Sequence, residues 1–204
     1  MTNKPYIKSL IKNSRDDDVI FAYWWNPKKY GINNWGDALN TVLIQKISGR
    51  KPYYVGEDFQ NTQNKPVYTV IGSILHQDEL TRCGSNLVIW GSGFISSKGR
   101  LKAKPKEICA VRGPLSRAIL LNQGYSCPEV YGDPALLCPY FYQSRSRKKY
   151  ELGIIPHYVD KEQVPSVICD DPDVLLIDIQ GGIEKVVDQI CSCKRIASSS
   201  LHGV

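Results

Sequence analysis

Three histidines, His76, His157 and His202, each follow a run of β-branched or aromatic residues. Imidazole titrates where acid–base chemistry is done, so three histidines at strand ends point to proton transfer or to binding of an anion. His202 has the most telling setting, behind Ser198–Ser200 and Leu201 and before Gly203. Arg112 closes the otherwise apolar EICAVR, where a guanidinium can grip a phosphate or carboxylate with two parallel hydrogen bonds. An ion pair or helix cap would also explain it. Asp37 ends Asn33-Asn34-Trp35-Gly36-Asp37, a loop expected to lead into a helix whose free N–H groups favour an anion. Capping of that helix by Asp37 is the plainer alternative. Gly72-Ser73 and Gly91-Ser92-Gly93 put small residues at strand ends, where backbone can approach a ligand closely. Gly91-Ser92-Gly93 is only a fragment of a dinucleotide fingerprint, and turn formation is its more usual explanation.

The elements that must position these residues alternate between strand and helix. Val19–Trp25, Val67–Ser73, Leu87–Gly91 and Glu107–Arg112 read as strands; Val67–Ser73 and Leu87–Gly91 are continuous rather than alternating, which argues for burial on both faces of a parallel sheet. A helix is expected from about Asp37 to Ser48, with Leu39, Val42, Leu43 and Ile47 on one apolar face. A second should run from Gly113-Pro114 to Gly124, and Glu129–Tyr131 reads as a short strand. The pattern breaks near Tyr140–Lys149 and then restarts with strands Leu152–Pro156, Val174–Ile179 and Arg195–Ser199 and a helix Ile183–Cys193. The expected division is a first α/β lobe over residues 1–142 and the start of a second over 143–204. The second is expected to be incomplete, because its last strand is not followed by a covering helix.

The chain has 204 residues, 42% hydrophobic and 23% charged, the profile of a core-forming globular protein. No apolar run reaches the ~20 residues of a spanning helix, and the N-terminus lacks the apolar centre of a signal peptide. The net charge of +6 is local: Ser96–Lys106 has five basic residues and no acid, and Ser144–Lys149 has four more. Both fit solvated loops, or attraction to phosphate, an acidic glycan or a lipid headgroup. Nucleic acid is disfavoured, since neither run interleaves aromatics. The 7 cysteines are scattered without the paired spacing of a zinc site, so buried thiols are expected, with no disulfide framework and no metal.

NNWGDALN, IGS, VIWGSGF, CAVRGPLSRAIL, VYGDPALL, GIIPHYVD and ASSSLHGV stand in the order seen in polysaccharide pyruvyl transferases, which the sequence resembles from about Phe21 to Val204. The similarity is to the branch of ketal-forming enzymes of exopolysaccharide assembly. It implies a GT-B-like pair of Rossmann-type, doubly wound parallel sheets, the first lobe complete and the second partial, with the active site between lobes. It also implies transfer of the enolpyruvyl unit of phosphoenolpyruvate to a sugar of a polysaccharide or its lipid-linked precursor, as a pyruvate ketal, with no cofactor beyond that donor. On this resemblance Arg112 and His202 contact the donor, His202 acting as acid or phosphate ligand. Asp37 is an acceptor contact or base, and His157 a second acid–base candidate. Asn34, Gly36, Gly72, Ser73, Gly91, Ser92, Gly93, Ser200 and Leu201 are expected to line the substrates. Many relatives carry Arg where this chain has Ser200, which leaves one anion contact unassigned. The expected location is the cytoplasm, with or without association to the inner face of a membrane. The expectation is also that residues 1–204 alone do not turn over. The competing readings are a glycosyltransferase of the same architecture using a nucleotide sugar, and a non-catalytic glycan- or nucleotide-binding module.

Overall fold

The computed structural model describes residues 19–26, 34–56, 58–62, 64–157 and 159–203. Asn33 and most of the loop before it lie outside the described residues. The chain divides into two compact units. Among the described residues, the first holds 19–25 and 40–136, and the second holds 26, 34–39 and 137–203.

In the first unit, five strands form one sheet: β1 (Val19–Ala22), β2 (Lys51–Tyr54), β3 (Val67–Thr69), β4 (Leu87–Trp90) and β5 (Glu107–Ala110). Their order is β2-β1-β3-β4-β5, and every pairing is parallel. That order belongs to doubly wound sheets of flavodoxin-like type, in which ligands bind beyond the strand C-termini where the order reverses, here between β1 and β3. The strands are shorter than the apolar runs, because the residues after Thr69 and Trp90 turn away from the ladder. β2 does not stand out in the sequence. Lys-Pro-Tyr-Tyr carries a proline that cannot donate to a ladder, a residue suited to the sheet edge it occupies.

Helix α1 (Trp35–Ser48) begins two residues before its expected start and is shared between the units at Leu39/Asn40. Its buried residues include Trp35, Leu39, Asn40, Leu43 and Ile44, whereas Ile47 is 44% exposed. The apolar face is therefore rotated from the expected one. Helix α2 (Pro114–Asn122) has Pro114 at its first position and ends in a paired cap. There Tyr125 N–H donates to Leu120 O at 3.1 Å and Gly124 N–H to Leu121 O at 2.9 Å, with Gly124 at φ 86°. Phe21, Val67, Leu87, Ile89, Leu101 and Leu120 belong to one buried core. Each such side chain contributes about 1.5–3 kcal/mol on transfer from water. The expected strand at Glu129–Tyr131 is reduced to a single bridge between Val111 and Tyr131.

In the second unit a short helix α3 (Cys138–Phe141) precedes β6 (Tyr150–Ile155). There follow α4 (Ser166–Cys169), β7 (Val174–Leu176), α5 (Ile183–Ser192) and β8 (Cys193–Ser198). The sheet order is β7-β6-β8, again parallel throughout. Gly153 is required in β6, since a methyl group there would lie 2.7 Å from both Cys193 Sγ and Ile196 Cδ1. Both units are thus mixed α/β with parallel sheets, compatible with a Rossmann-like class.

Candidate functional site

In the second unit the loops after β7 and β8 meet the start of α1. Trp35 N–H donates to Ile179 O at 3.1 Å, anchoring the first helical turn beyond β7. Asn34 caps that turn, its Oδ1 accepting from Gly36 N–H at 2.9 Å. The cap is therefore Asn34, and Asp37 sits inside the first turn, 8% exposed, where a carboxylate favours the positive end of the helix dipole. The Trp35 indole N–H is buried without an acceptor among the described residues.

His202 lies in a 3-10 turn, Leu201–Gly203, just after β8. Its ring rests on the backbone of Gly36: a methyl group on Gly36 would lie 2.2 Å from His202 Nδ1 and 2.4 Å from Cγ. Glycine at 36 is therefore what allows the imidazole to seat against the helix N-terminus. The turn is fixed from behind by Ser198, whose hydroxyl lies 2.9 Å from Ile155 O and 2.8 Å from Ser200 O. The same oxygen accepts from Ser200 N–H at 3.0 Å. Gly203 is as constrained as Gly36, since a side chain there would strike Ser198 Oγ. Ser200 is 4% exposed and Leu201 51% exposed.

His157, two residues beyond β6, is tied to the same loop. Its backbone N–H donates to Ser199 Oγ at 2.9 Å, and that hydroxyl donates to Asp160 Oδ2 at 2.7 Å. Ser199 thus laces the loops after β6 and β8, the two strands between which this sheet reverses its order. Neither Ser198 nor Ser199 was singled out from sequence, although both lie inside the SSSLHG run, where a row of hydroxyls before a turn was the available signal.

In the first unit, Arg112 follows β5 and gathers the loops after β3 and β4. It donates from Nη1 to Ser73 Oγ at 2.6 Å and from Nη2 to Phe94 O at 2.9 Å. Burial pulls its guanidinium below the ordinary arginine range, an effect countered by the neighbouring Asp133. Gly93 leaves room for this arrangement, since a side chain there would meet Ser116 Oγ at 2.7 Å and Arg112 Nε at 3.1 Å. Gly91 is covered by Pro134. Ser92 is fully buried, its hydroxyl 2.9 Å from Thr69 Oγ1, so it holds β4 to β3 rather than facing the strand-end surface. Gly72 takes φ 122° after β3, and its carbonyl accepts from Gly93 N–H at 3.0 Å.

Asn40 is a positioning residue that the sequence did not reveal. It is wholly buried in α1, and its amide brackets the backbone of Ile71: Ile71 N–H donates to Oδ1 at 3.0 Å and Nδ2 donates to Ile71 O at 3.3 Å. This pins the chain beside Gly72 and Ser73. Among the described residues no group of three His, Cys, Asp or Glu could hold a metal ion.

Two parallel sheets, with histidine, arginine, small residues and hydroxyls after their strand C-termini, define an α/β protein of Rossmann-like class. The chain matches the polysaccharide pyruvyl transferase family over residues 5–204 and belongs to it. It is also 33% identical over 177 residues to an uncharacterized protein of Acanthamoeba polyphaga mimivirus, a match covering 84% of this chain and 59% of that relative. The chain therefore spans less than two thirds of that relative's length. No solved structure matches.

Proposed function

We propose that this protein transfers the enolpyruvyl group of phosphoenolpyruvate to a sugar, forming a pyruvate ketal in the biosynthesis of a polysaccharide or its lipid-linked precursor. Family membership supports pyruvyl transfer. The observation that carries the site is the seating of His202 on Gly36, beside the capped N-terminus of α1.

The chemistry needs a proton at the donor's methylene carbon, which leaves oxocarbenium character at C2. A sugar hydroxyl adds there, forming one C–O bond and giving its proton to a base. The C2–O bond to phosphate then breaks and inorganic phosphate leaves, and a second hydroxyl adds at C2, passing its proton to a base or to the departing phosphate, to close the ketal. His202 is the acid or the phosphate ligand, held in one orientation by the Gly36 backbone. The buried Trp35 indole N–H, without an acceptor among the described residues, offers a donor to an anion. Asp37, in the same turn, is the acceptor contact or base, and His157 is the second acid–base candidate. Arg112 is the anion clamp that the family motif implies, with two of its five N–H groups already committed to Ser73 and Phe94.

Incubated with phosphoenolpyruvate and a panel of glycan acceptors, the protein should release phosphate in step with acceptor pyruvylation. A general acid contributes about 10²–10⁴-fold, so His202→Ala should slow release by at least that lower factor. A near-wild-type rate would remove His202 from the chemistry. Thermal stabilisation by nucleotide sugars but not by phosphoenolpyruvate would instead favour glycosyl transfer.

A further inference from the structure

The crossover from β4 to β5 carries no helix. It runs through residues 91–106 and includes the basic stretch Ser96–Lys106, which the reaction above does not use. Long crossovers without secondary structure are uncommon in compact domains and tend to be functional or disordered. This one is pinned. Leu101 and Ala103 are 5% and 3% exposed, so Arg100, Lys102 and Lys104 between and beside them are turned outward. Leu101 N–H donates to Gln123 Oε1 at 2.9 Å, and Tyr125 Oη donates to Ala103 O at 3.1 Å. The Ser96–Gly99 turn closes with Gly99 N–H on Ser96 O at 3.0 Å, and Phe94 lies against Gly99 where a Cβ would sit.

This fixed loop walls a cavity of about 380 Å³, lined by His76, Ile95, Lys98, Gly99, Arg100 and Lys102 among others. Of the three cations, Lys102 pairs with Asp78 at 2.7 Å, while Lys98 and Arg100 have no carboxylate partner among the described residues. His76 also lines the cavity, its Nε2 3.3 Å from the Gln77 amide nitrogen and its Nδ1 buried without a hydrogen-bond partner among the described residues. The second basic run differs: Ser144 donates to Asp188 at 2.6 Å, Lys148 to Cys193 O, and Lys149 lies over the Tyr150 ring. Structural contacts account for much of that run but not for Lys98 and Arg100.

We propose that this cavity is a second anion site that takes a phosphate or diphosphate ester, held by Lys98 and Arg100. Ile95, 71% exposed at the rim, suits an ester whose organic part is apolar. The site stands independently of the reaction assigned to His202, because its test reads binding rather than turnover.

Inorganic pyrophosphate titrated calorimetrically into the protein should bind. Each charge-assisted hydrogen bond is worth about tenfold in affinity, so Lys98→Gln with Arg100→Gln should weaken binding at least ~10-fold. Arg145→Gln with Arg147→Gln removes the same charge from the other run and should leave binding unchanged. All four side chains are exposed, so both variants should melt as the parent does. Cosedimentation with phosphatidylcholine vesicles, with and without phosphatidylglycerol, separates the sources of phosphate. Binding to the anionic vesicles that pyrophosphate displaces and Ile95→Ser weakens identifies a lipid-borne group. Pyrophosphate binding without vesicle binding identifies a soluble ester. Equal loss in the two double variants, vesicle binding that pyrophosphate does not displace, or no binding of either probe overturns the proposal.

Discussion

Gly36→Ala sets two effects of opposite sign against each other, and the geometry decides between them. Position 36 is helical without a positive φ, so replacing glycine by alanine should favour the helix by up to about 1 kcal/mol. The new methyl group, however, would lie 2.2 Å from His202 Nδ1, 2.4 Å from Cγ and 2.9 Å from Cβ. Ordinary contacts begin near 3.5 Å, so the ring must retreat by roughly 1.3 Å, and overpacking of this kind costs about 1–3 kcal/mol. A measured change in one variant would mix the two effects. A double-mutant cycle with His202→Gly separates them, glycine being needed because alanine would retain the Cβ that is itself too close.

In the His202→Gly background, Gly36→Ala should be neutral or stabilising by up to about 1 kcal/mol. In the parent it should be destabilising, or at best neutral; the helix gain cancels in the cycle, so the coupling energy should be about 1–3 kcal/mol. Urea denaturation followed by circular dichroism measures each corner of the cycle. Phosphate release by Gly36→Ala should fall with His202 displaced, even where the variant remains folded. Additivity within about 0.5 kcal/mol would show that the imidazole does not rest on Gly36, and would refute the account of how His202 is positioned.

Two further perturbations test the supports of the strand ends. Asn40→Ala orphans both backbone groups of Ile71 at about 1–3 kcal/mol each, and a loss below about 1 kcal/mol in urea denaturation would contradict the bracketing hydrogen bonds. Asp178 donor contacts, first from Lys161 at 2.8 Å and then from Gln180 N–H, hold its carboxyl below the ordinary carboxylate range. A depressed folded value means that the stabilisation is present above the unfolded value and lost as pH falls through the folded one. Asp178→Asn should therefore lower stability near neutrality by under about 1 kcal/mol, the pair being exposed, and make no difference in acid; a gap that widens in acid would contradict the sign.

What the sequence made legible followed from local chemistry. Val67–Thr69 and Leu87–Trp90 announce buried parallel strands through unbroken β-branched and aromatic character, and Pro114 with Gly124 bounds α2. The order of strands is not local and could not be read in this way. β2 was hidden by Pro52, and the turn away after Thr69 was hidden because Val70 and Ile71 are as apolar as the strand before them. The expected site residues were found by their place after strands, yet type did not reveal task. Ser73 and Ser92 look alike in sequence, but one accepts from Arg112 and the other is sealed against Thr69. Asn40, buried among the apolar residues of a helix, is explained only by Ile71, 31 residues away.

The two sheets share one rule of construction. Each begins with strands in the spatial order second, first, third, and in each the loops following the first and third of these strands flank the reversal. In the first unit the loop after β3 carries Gly72, Ser73 and His76; in the second the loops after β6 and β8 carry His157 and His202. The departure at Ser200 is best understood within that frame. Its side chain is buried, and its backbone N–H and C=O both engage Ser198 Oγ, so this position shapes the turn that carries His202. An arginine placed there would have to leave that buried setting to reach an anion. Without it, the donor without an acceptor among the described residues in the α1 turn on which His202 rests is the Trp35 indole, which is neutral. Neutral donors bind an anion with less dependence on ionic strength than a guanidinium does. Donor binding that weakens more steeply with added salt once Ser200→Arg is introduced than it does in this chain would show that the serine stands where a charged contact can reach the donor; the same salt dependence in both would show that position 200 never faced the donor.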